Sequence, residues 1–159
     1  MGSRSKIDFA YVAGFLDGDG SLMLQLKKRS DSPKKYRFMA TVCFYQDSRH
    51  KKTLFWIRDL FGVGYVSDRK DGMSELRING FVSVQLVLVK LLPFIKFKIT
   101  QARALAQACE ILNKTTLRTI SEKQLRKLVG LILVIQNENY VTKRKKTGTE
   151  LLKILGLTP

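Results

Sequence analysis

The order of apolar and polar positions predicts a helix, a hairpin, a helix, a second hairpin, and then a run of helices. The first helix spans about Lys6 to Gly18, and Ser5-Lys6-Ile7-Asp8 fits a capping box at its start. Within it Ala10, Gly14 and Gly18 recur every four residues, with Ala13 adjoining them. Small residues at that spacing give a helix a flat stripe that a second helix backbone can approach closely. Spacing alone leaves open whether that second helix belongs to the same subunit or to another copy. The helix must stop at Gly18-Asp19-Gly20, where two glycines permit backbone angles closed to other residues.

Strict alternation follows. Leu22, Leu24 and Leu26 face one side; Met23, Gln25 and Lys27 face the other. After a polar turn from Lys28 and Arg29 to Lys34, the return strand sets Phe38, Ala40, Val42 and Phe44 inward. It sets Arg37, Met39, Thr41, Cys43 and Tyr45 outward. Such a sheet has a core on one side and something polar on the other. Asp47 or Ser48 caps a helix to about Phe61, ended by Gly62-Val63-Gly64. A second hairpin then opposes Val66, Leu76 and Ile78 to Tyr65, Ser67, Arg69, Glu75 and Arg77, around a Lys70-Asp71-Gly72 turn. Further helices are expected over Phe81–Leu92, stopped by Pro93, and over Thr100–Asn113. Another runs from a capping box at Ser121 to about Asn137, and a short one covers Thr149–Leu155. No internal repeat is present. The pattern predicts one α/β (α+β) domain, αββαββα, with a four-stranded antiparallel sheet and C-terminal helices. Its core covers about residues 5–137, and a basic loop and short helix cover about 138–159.

Charge changes the picture from fold to partner. Lys and Arg number 29 against 13 Asp and Glu, a net +16, so nucleic acid is the natural partner through counterion release. Anionic membrane competes on charge alone, but no basic amphipathic helix stands out, and no apolar run reaches the ~18 residues that would span a bilayer. No signal-peptide apolar segment follows the N-terminal residues, so an intracellular site is expected rather than secretion. Cys43 and Cys109 lack metal-ligand spacing and read as two buried free thiols.

In a chain poor in carboxylates, Asp17 and Asp19 stand two apart around Gly18. A solvated turn would account for them. The turn, however, follows the small-residue stripe and precedes a sheet with a DNA-suited face. A hard cation such as Mg²⁺ takes carboxylate, phosphate and water oxygens. One aspartate is a thin site, and two copies meeting through the stripe would bring two Asp19 residues together into a phosphodiester-cleaving centre. The single histidine, His50, excludes a Ser-His-Asp reading for want of partners.

Tyr11-Val12-Ala13-Gly14-Phe15-Leu16-Asp17-Gly18-Asp19-Gly20 resembles the LAGLIDADG motif, with Val12 in place of its first leucine. Gly62 to Val66, Leu92 to Lys98 with Gln101-Ala102, and Lys143 to Thr147 extend the likeness to the single-motif, I-CreI-like subgroup of homing endonucleases. The resemblance implies that subgroup's fold, with its four strands forming a saddle-shaped sheet. It implies a homodimer that cuts double-stranded DNA with Mg²⁺, with Mn²⁺ as a substitute and Ca²⁺ binding without cleavage. It also implies metal binding by Asp19, with the Gly18 carbonyl as a further ligand. Gln46 would order solvent, Lys98 would stand near the scissile phosphate, and His50 would occupy a peripheral basic position. Asp17 would support the helix end. Ala10, Tyr11, Ala13, Gly14, Asp17 and Gly18 would form the dimer interface. An organelle or a prokaryotic or archaeal cytoplasm would be its location.

The outward strand residues then become the DNA-reading face. Gln25, Lys27, Arg37, Arg69, Glu75 and Arg77 offer forks or acceptors to base edges. Met23, Arg29, Met39, Thr41, Cys43, Tyr45 and Ser67 fill in between, and Lys143, Arg144, Lys145 and Lys146 are expected on phosphates. Two alternatives remain: an RNA-splicing maturase or non-cleaving DNA binder on the same fold, and a ribosomal-type RNA-binding module. The Gly-Asp-Gly turn argues against the latter.

Overall fold

A computed structural model of the chain describes residues 3–30, 35–139 and 144–158. Lys143 lies outside them. Helix α1 (Ser3–Asp19) passes directly into strand β1 (Gly20–Lys28), which pairs antiparallel with β2 (Tyr36–Asp47). A 3-10 turn (Ser48–His50) and helix α2 (Lys52–Phe61) lead to the hairpin β3 (Tyr65–Asp68) and β4 (Met73–Asn79). Helices α3 (Phe81–Leu91), α4 (Ile99–Lys114), α5 (Glu122–Glu138) and α6 (Gly148–Leu155) complete the chain. The sheet order is β1-β2-β4-β3, all antiparallel, so β2 and β4 are central and β1 and β3 form the edges.

Alternation places the core. Leu22, Leu24, Leu26, Phe38, Ala40, Val42, Phe44, Leu76 and Ile78 are buried on one face of the sheet, against helix residues such as Val84, Leu88, Leu105 and Leu128. No helix among the described residues is long and apolar enough to cross a membrane.

The start of α1 differs from expectation. The helix begins at Ser3, so Ser5 lies inside it and the Ser5–Asp8 box does not cap it. The capping boxes that form are Ser121 with Gln124 on α5 and Thr147 with Glu150 on α6. Asp47 caps the 3-10 turn rather than an α-helix: its carboxylate accepts from the Arg49 N–H at 2.9 Å.

The glycines at the end of α1 also act differently from expectation. Neither Gly18 nor Gly20 has a positive φ. Gly20 is required by space, because a Cβ there would lie 2.7 Å from the Leu16 carbonyl oxygen. Gly14 and Gly18 are open, with nothing within 4 Å of an added Cβ. Their stripe faces outward with Ala10, Tyr11 and Ile7. Ala13 does not belong to it: it is fully buried with Phe9, Val12 and Leu16. Residues 9, 12, 13 and 16 follow the helical repeat of a core-facing stripe, and Ala10, Gly14 and Gly18 occupy the other side.

Candidate active site and nucleic-acid interface

The end of α1 is held by a reciprocal clasp. The Asp17 carboxylate accepts the backbone N–H groups of Lys96, Phe97 and Lys98 at 2.7, 3.1 and 2.9 Å, closing the loop that leads into α4. In return the Lys98 ammonium donates to the carbonyls of Leu16 and Asp17 at 2.9 and 2.5 Å, and reaches Gly18 O at 3.4 Å. The last carbonyls of a helix lack partners within it, and a cation there also meets the negative end of the helix dipole. Burial pushes the Lys98 amine below its ordinary value, opposed by the nearby Asp17 and Asp19 carboxylates.

Asp17 is therefore committed to structure, and Asp19, two residues on, is exposed. A cleft lined by Ala10, Tyr11, Gly14, Phe15, Asp19, Gln46 and Thr53 brings Asp19 and Gln46 together beside the small-residue stripe. Gln46 gets there by strand parity. It is the next inward position after Phe44, where the core face of β2 runs out, and its Oε1 folds back to accept the Asp47 N–H at 2.8 Å. His50 is exposed at the end of the 3-10 turn.

The donor set fits a hard cation in one respect and is incomplete in another. Asp19 offers an exposed carboxylate, and the Gly18 carbonyl is the one least committed to Lys98. Among the described residues, no three Asp, Glu, His or Cys side chains cluster.

The opposite face of the sheet carries Met23, Gln25, Lys27, Arg37, Met39, Tyr45, Ser67, Glu75 and Arg77, exposed or half-buried. Arg77 is held by Glu75, with Nε to Oε1 at 3.1 Å, and Arg69 lies 5.7 Å over the Tyr45 ring. Arg29 directly follows β1, its N–H donating to Lys35 O at 2.8 Å. Thr41 and Cys43 share this face but are buried, so neither is available as a direct contact in this arrangement. Thr41 donates to Asn79 Oδ1 at 2.8 Å, and Cys43 is enclosed by Ser21, Tyr45 and Arg77. Burial pushes the Cys43 thiol up. Sequence reasoning missed Ser21, whose hydroxyl pairs with Tyr45 Oη at 3.1 Å, and Asn79; both continue the outward alternation of their strands. Arg144 and Lys145 are exposed. The Lys146 ammonium turns instead to the open edge of β1, donating to Leu26 O at 2.9 Å.

The LAGLIDADG endonuclease family model matches residues 12–96, more than half of the sequence. This chain belongs to that family. The DNA endonuclease I-CvuI of Chlorella vulgaris is 36% identical over 112 residues, covering 70% of each chain. The DNA endonuclease I-CreI of Chlamydomonas reinhardtii is 33% identical over 100 residues, covering 63% of this chain and 61% of its own. The crystal structure of I-CvuI with its target DNA and calcium has a TM-score of 0.86 at 29% identity, over 99% of this chain and 100% of that one. A second I-CvuI complex, with the I-CreI target and magnesium, holds uncleaved DNA and has a TM-score of 0.78. The LAGLIDADG likeness thus spans helices and sheet alike, including the four-stranded antiparallel arrangement.

Proposed function

We propose that this chain is a site-specific homing endonuclease that acts as a homodimer on a long, roughly palindromic double-stranded DNA site. The observation that carries this is the placement of Asp19: exposed, at the end of an open small-residue stripe, with Gln46 beside it and Lys98 clasped behind. Two copies meeting along that stripe bring two Asp19 carboxylates together, which one subunit cannot do.

In this reading Asp19 and the Gly18 carbonyl hold Mg²⁺, for which Mn²⁺ substitutes, and Ca²⁺ binds without supporting cleavage. A divalent cation there supplies Lewis-acid charge at the phosphate. Gln46 orders solvent for in-line attack, and the Lys98 ammonium stabilises charge that develops on the phosphate oxygens. His50 adds positive charge at the periphery. Water adds to phosphorus and the sugar oxygen leaves, once per strand, with cohesive ends and no covalent enzyme intermediate. The strand residues read bases, while Arg144 and Lys145 neutralise phosphates. Cutting an intron-lacking allele would promote intron mobility inside an organelle or a prokaryotic or archaeal cytoplasm.

The test compares wild type with Asp19→Asn on plasmids carrying candidate sites, with Mg²⁺. Cutting by the wild type, lost in Asp19→Asn while binding persists, is the expected result. A wild type that binds sites and cuts none would favour the maturase reading instead.

A further inference from the structure

The 3-10 turn that carries His50 is gripped at both ends by one carboxylate of the recognition hairpin. Asp68, the last residue of β3, accepts the Lys51 ammonium on Oδ2 at 2.7 Å and the Ser74 hydroxyl on Oδ1 at 2.6 Å. Ser74 Oγ lies 2.8 Å from Ser48 Oγ. A hydroxyl has one proton to give. Ser74 gives its proton to Asp68, so Ser48 must donate to Ser74, and the bonds from Ser48 through Ser74 and from Lys51 converge on the Asp68 carboxylate. Lys51 and Ser74 together hold the Asp68 carboxyl below its ordinary value. The Ser48 N–H adds a backbone bond to Gly72 O at 3.0 Å.

Ser74 itself is fully buried, on the inner face of β4, where the cross-strand register pairs it with Gln46. Directly paired residues share a face within about 5.5 Å, so Ser74 stands next to Gln46 on the side that faces the cleft. At the other end of the network, the residue after Asp68 is Arg69, which lies over Tyr45 on the DNA-reading face. A buried hydroxyl beside a catalytic amide, tied to the hairpin that reads DNA, fixes the distance between recognition and cleavage.

We propose that Ser74 is a positioning residue for strand cleavage, holding Gln46 and the His50 turn in register with the β3–β4 hairpin through Ser48 and Asp68. This rests on the endonuclease reading above. Orienting groups one shell away from the reacting atoms typically contribute about 10- to 100-fold in rate.

The test uses a duplex recovered by the wild-type chain from a randomised DNA library. It measures the single-turnover cleavage rate with Mg²⁺, affinity for the same duplex with Ca²⁺, and melting temperature. Ser74→Ala and Asp68→Ala should each cut about 10- to 100-fold more slowly with affinity unchanged. Asp68→Asn, which keeps an acceptor for the Ser74 hydroxyl, should recover most of the rate. The inference is overturned if either alanine variant cuts at the wild-type rate, if the loss lies wholly in affinity, or if Asp68→Asn is as slow as Asp68→Ala. Because Asp68 is exposed, its two variants decide the matter even where Ser74→Ala does not fold. A wild type that binds the duplex and does not cut it overturns the endonuclease reading and this inference with it. A wild type that cuts, with variants that cut equally well, overturns this inference alone.

Discussion

Asp17 and Asp19 are chemically identical and two residues apart, yet the end of α1 gives them opposite work. Asp17 faces the loop ahead of α4 and receives three backbone N–H groups. Asp19 faces the cleft. Asp47 shows a third environment: its carboxylate is exposed but takes a two-pronged bond from Arg49, Nε to Oδ1 at 3.0 Å and Nη2 to Oδ2 at 2.9 Å. With the Arg49 N–H added, its pKa falls to about 2. A carboxyl lowered in the folded state favours folding above its unfolded pKa, and that contribution disappears as pH falls through the folded value. Asp47 should therefore stay ionised until pH approaches about 2. Carbon NMR of the carboxyl group would follow this, with Arg49→Ala raising the midpoint toward 3.8. An unmoved midpoint would remove Arg49 as the cause.

At the scale of elements, the α1–β1 junction has no loop, and Gly20 is what allows it. An added Cβ would lie 2.7 Å from Leu16 O and 2.8 Å from Leu16 Cα, both backbone atoms that cannot swing away. Gly20→Ala is expected to cost about 1–3 kcal/mol, the usual range for overpacking, read as a fall in the urea midpoint with an unchanged slope. A neutral result would mean that the junction relaxes freely.

Element order and strand parity were legible because alternation is a local, period-two signal. The register follows it from Leu22 opposite Val42 to Val66 opposite Leu76. The start of α1 was not legible. A capping motif marks one permitted start, and Ser3 and Arg4 contain nothing that forbids a helix. Parity also assigned Thr41 and Cys43 to the outer face without showing that neighbours roof them over. Burial there depends on Asn79, Tyr45 and Arg77, which reach across strands. The Ser48–Ser74–Asp68 network was invisible for the same reason: its members are 6 and 26 positions apart.

For the whole molecule, the decisive question is what covers the outer face of α1. Ile7 and Tyr11 are 67% and 60% exposed, and Tyr11 meets Trp56 edge-on at 5.8 Å between ring centroids. On the same face Ala10, Gly14 and Gly18 leave the helix backbone open to approach, and Asp19 follows at the helix end. Apolar groups left in water beside a backbone with no side chains are suited to a second helix of the same kind, and a two-fold pairing places the two Asp19 ends at one point. Gly14→Glu tests this without disturbing the subunit, because a Cβ at Gly14 meets nothing within 4 Å and glycine is a poor helix former. The variant should fold and keep its helix content. In sedimentation it should remain monomeric where the wild type is a dimer, since two carboxylates would be forced together where the helices cross. Its double-strand cutting should vanish, although Asp19, Gln46 and Lys98 are all intact in each chain. A Gly14→Glu chain that sediments as a dimer would place the interface elsewhere, and a monomer that still breaks both strands would show that one Asp19 suffices.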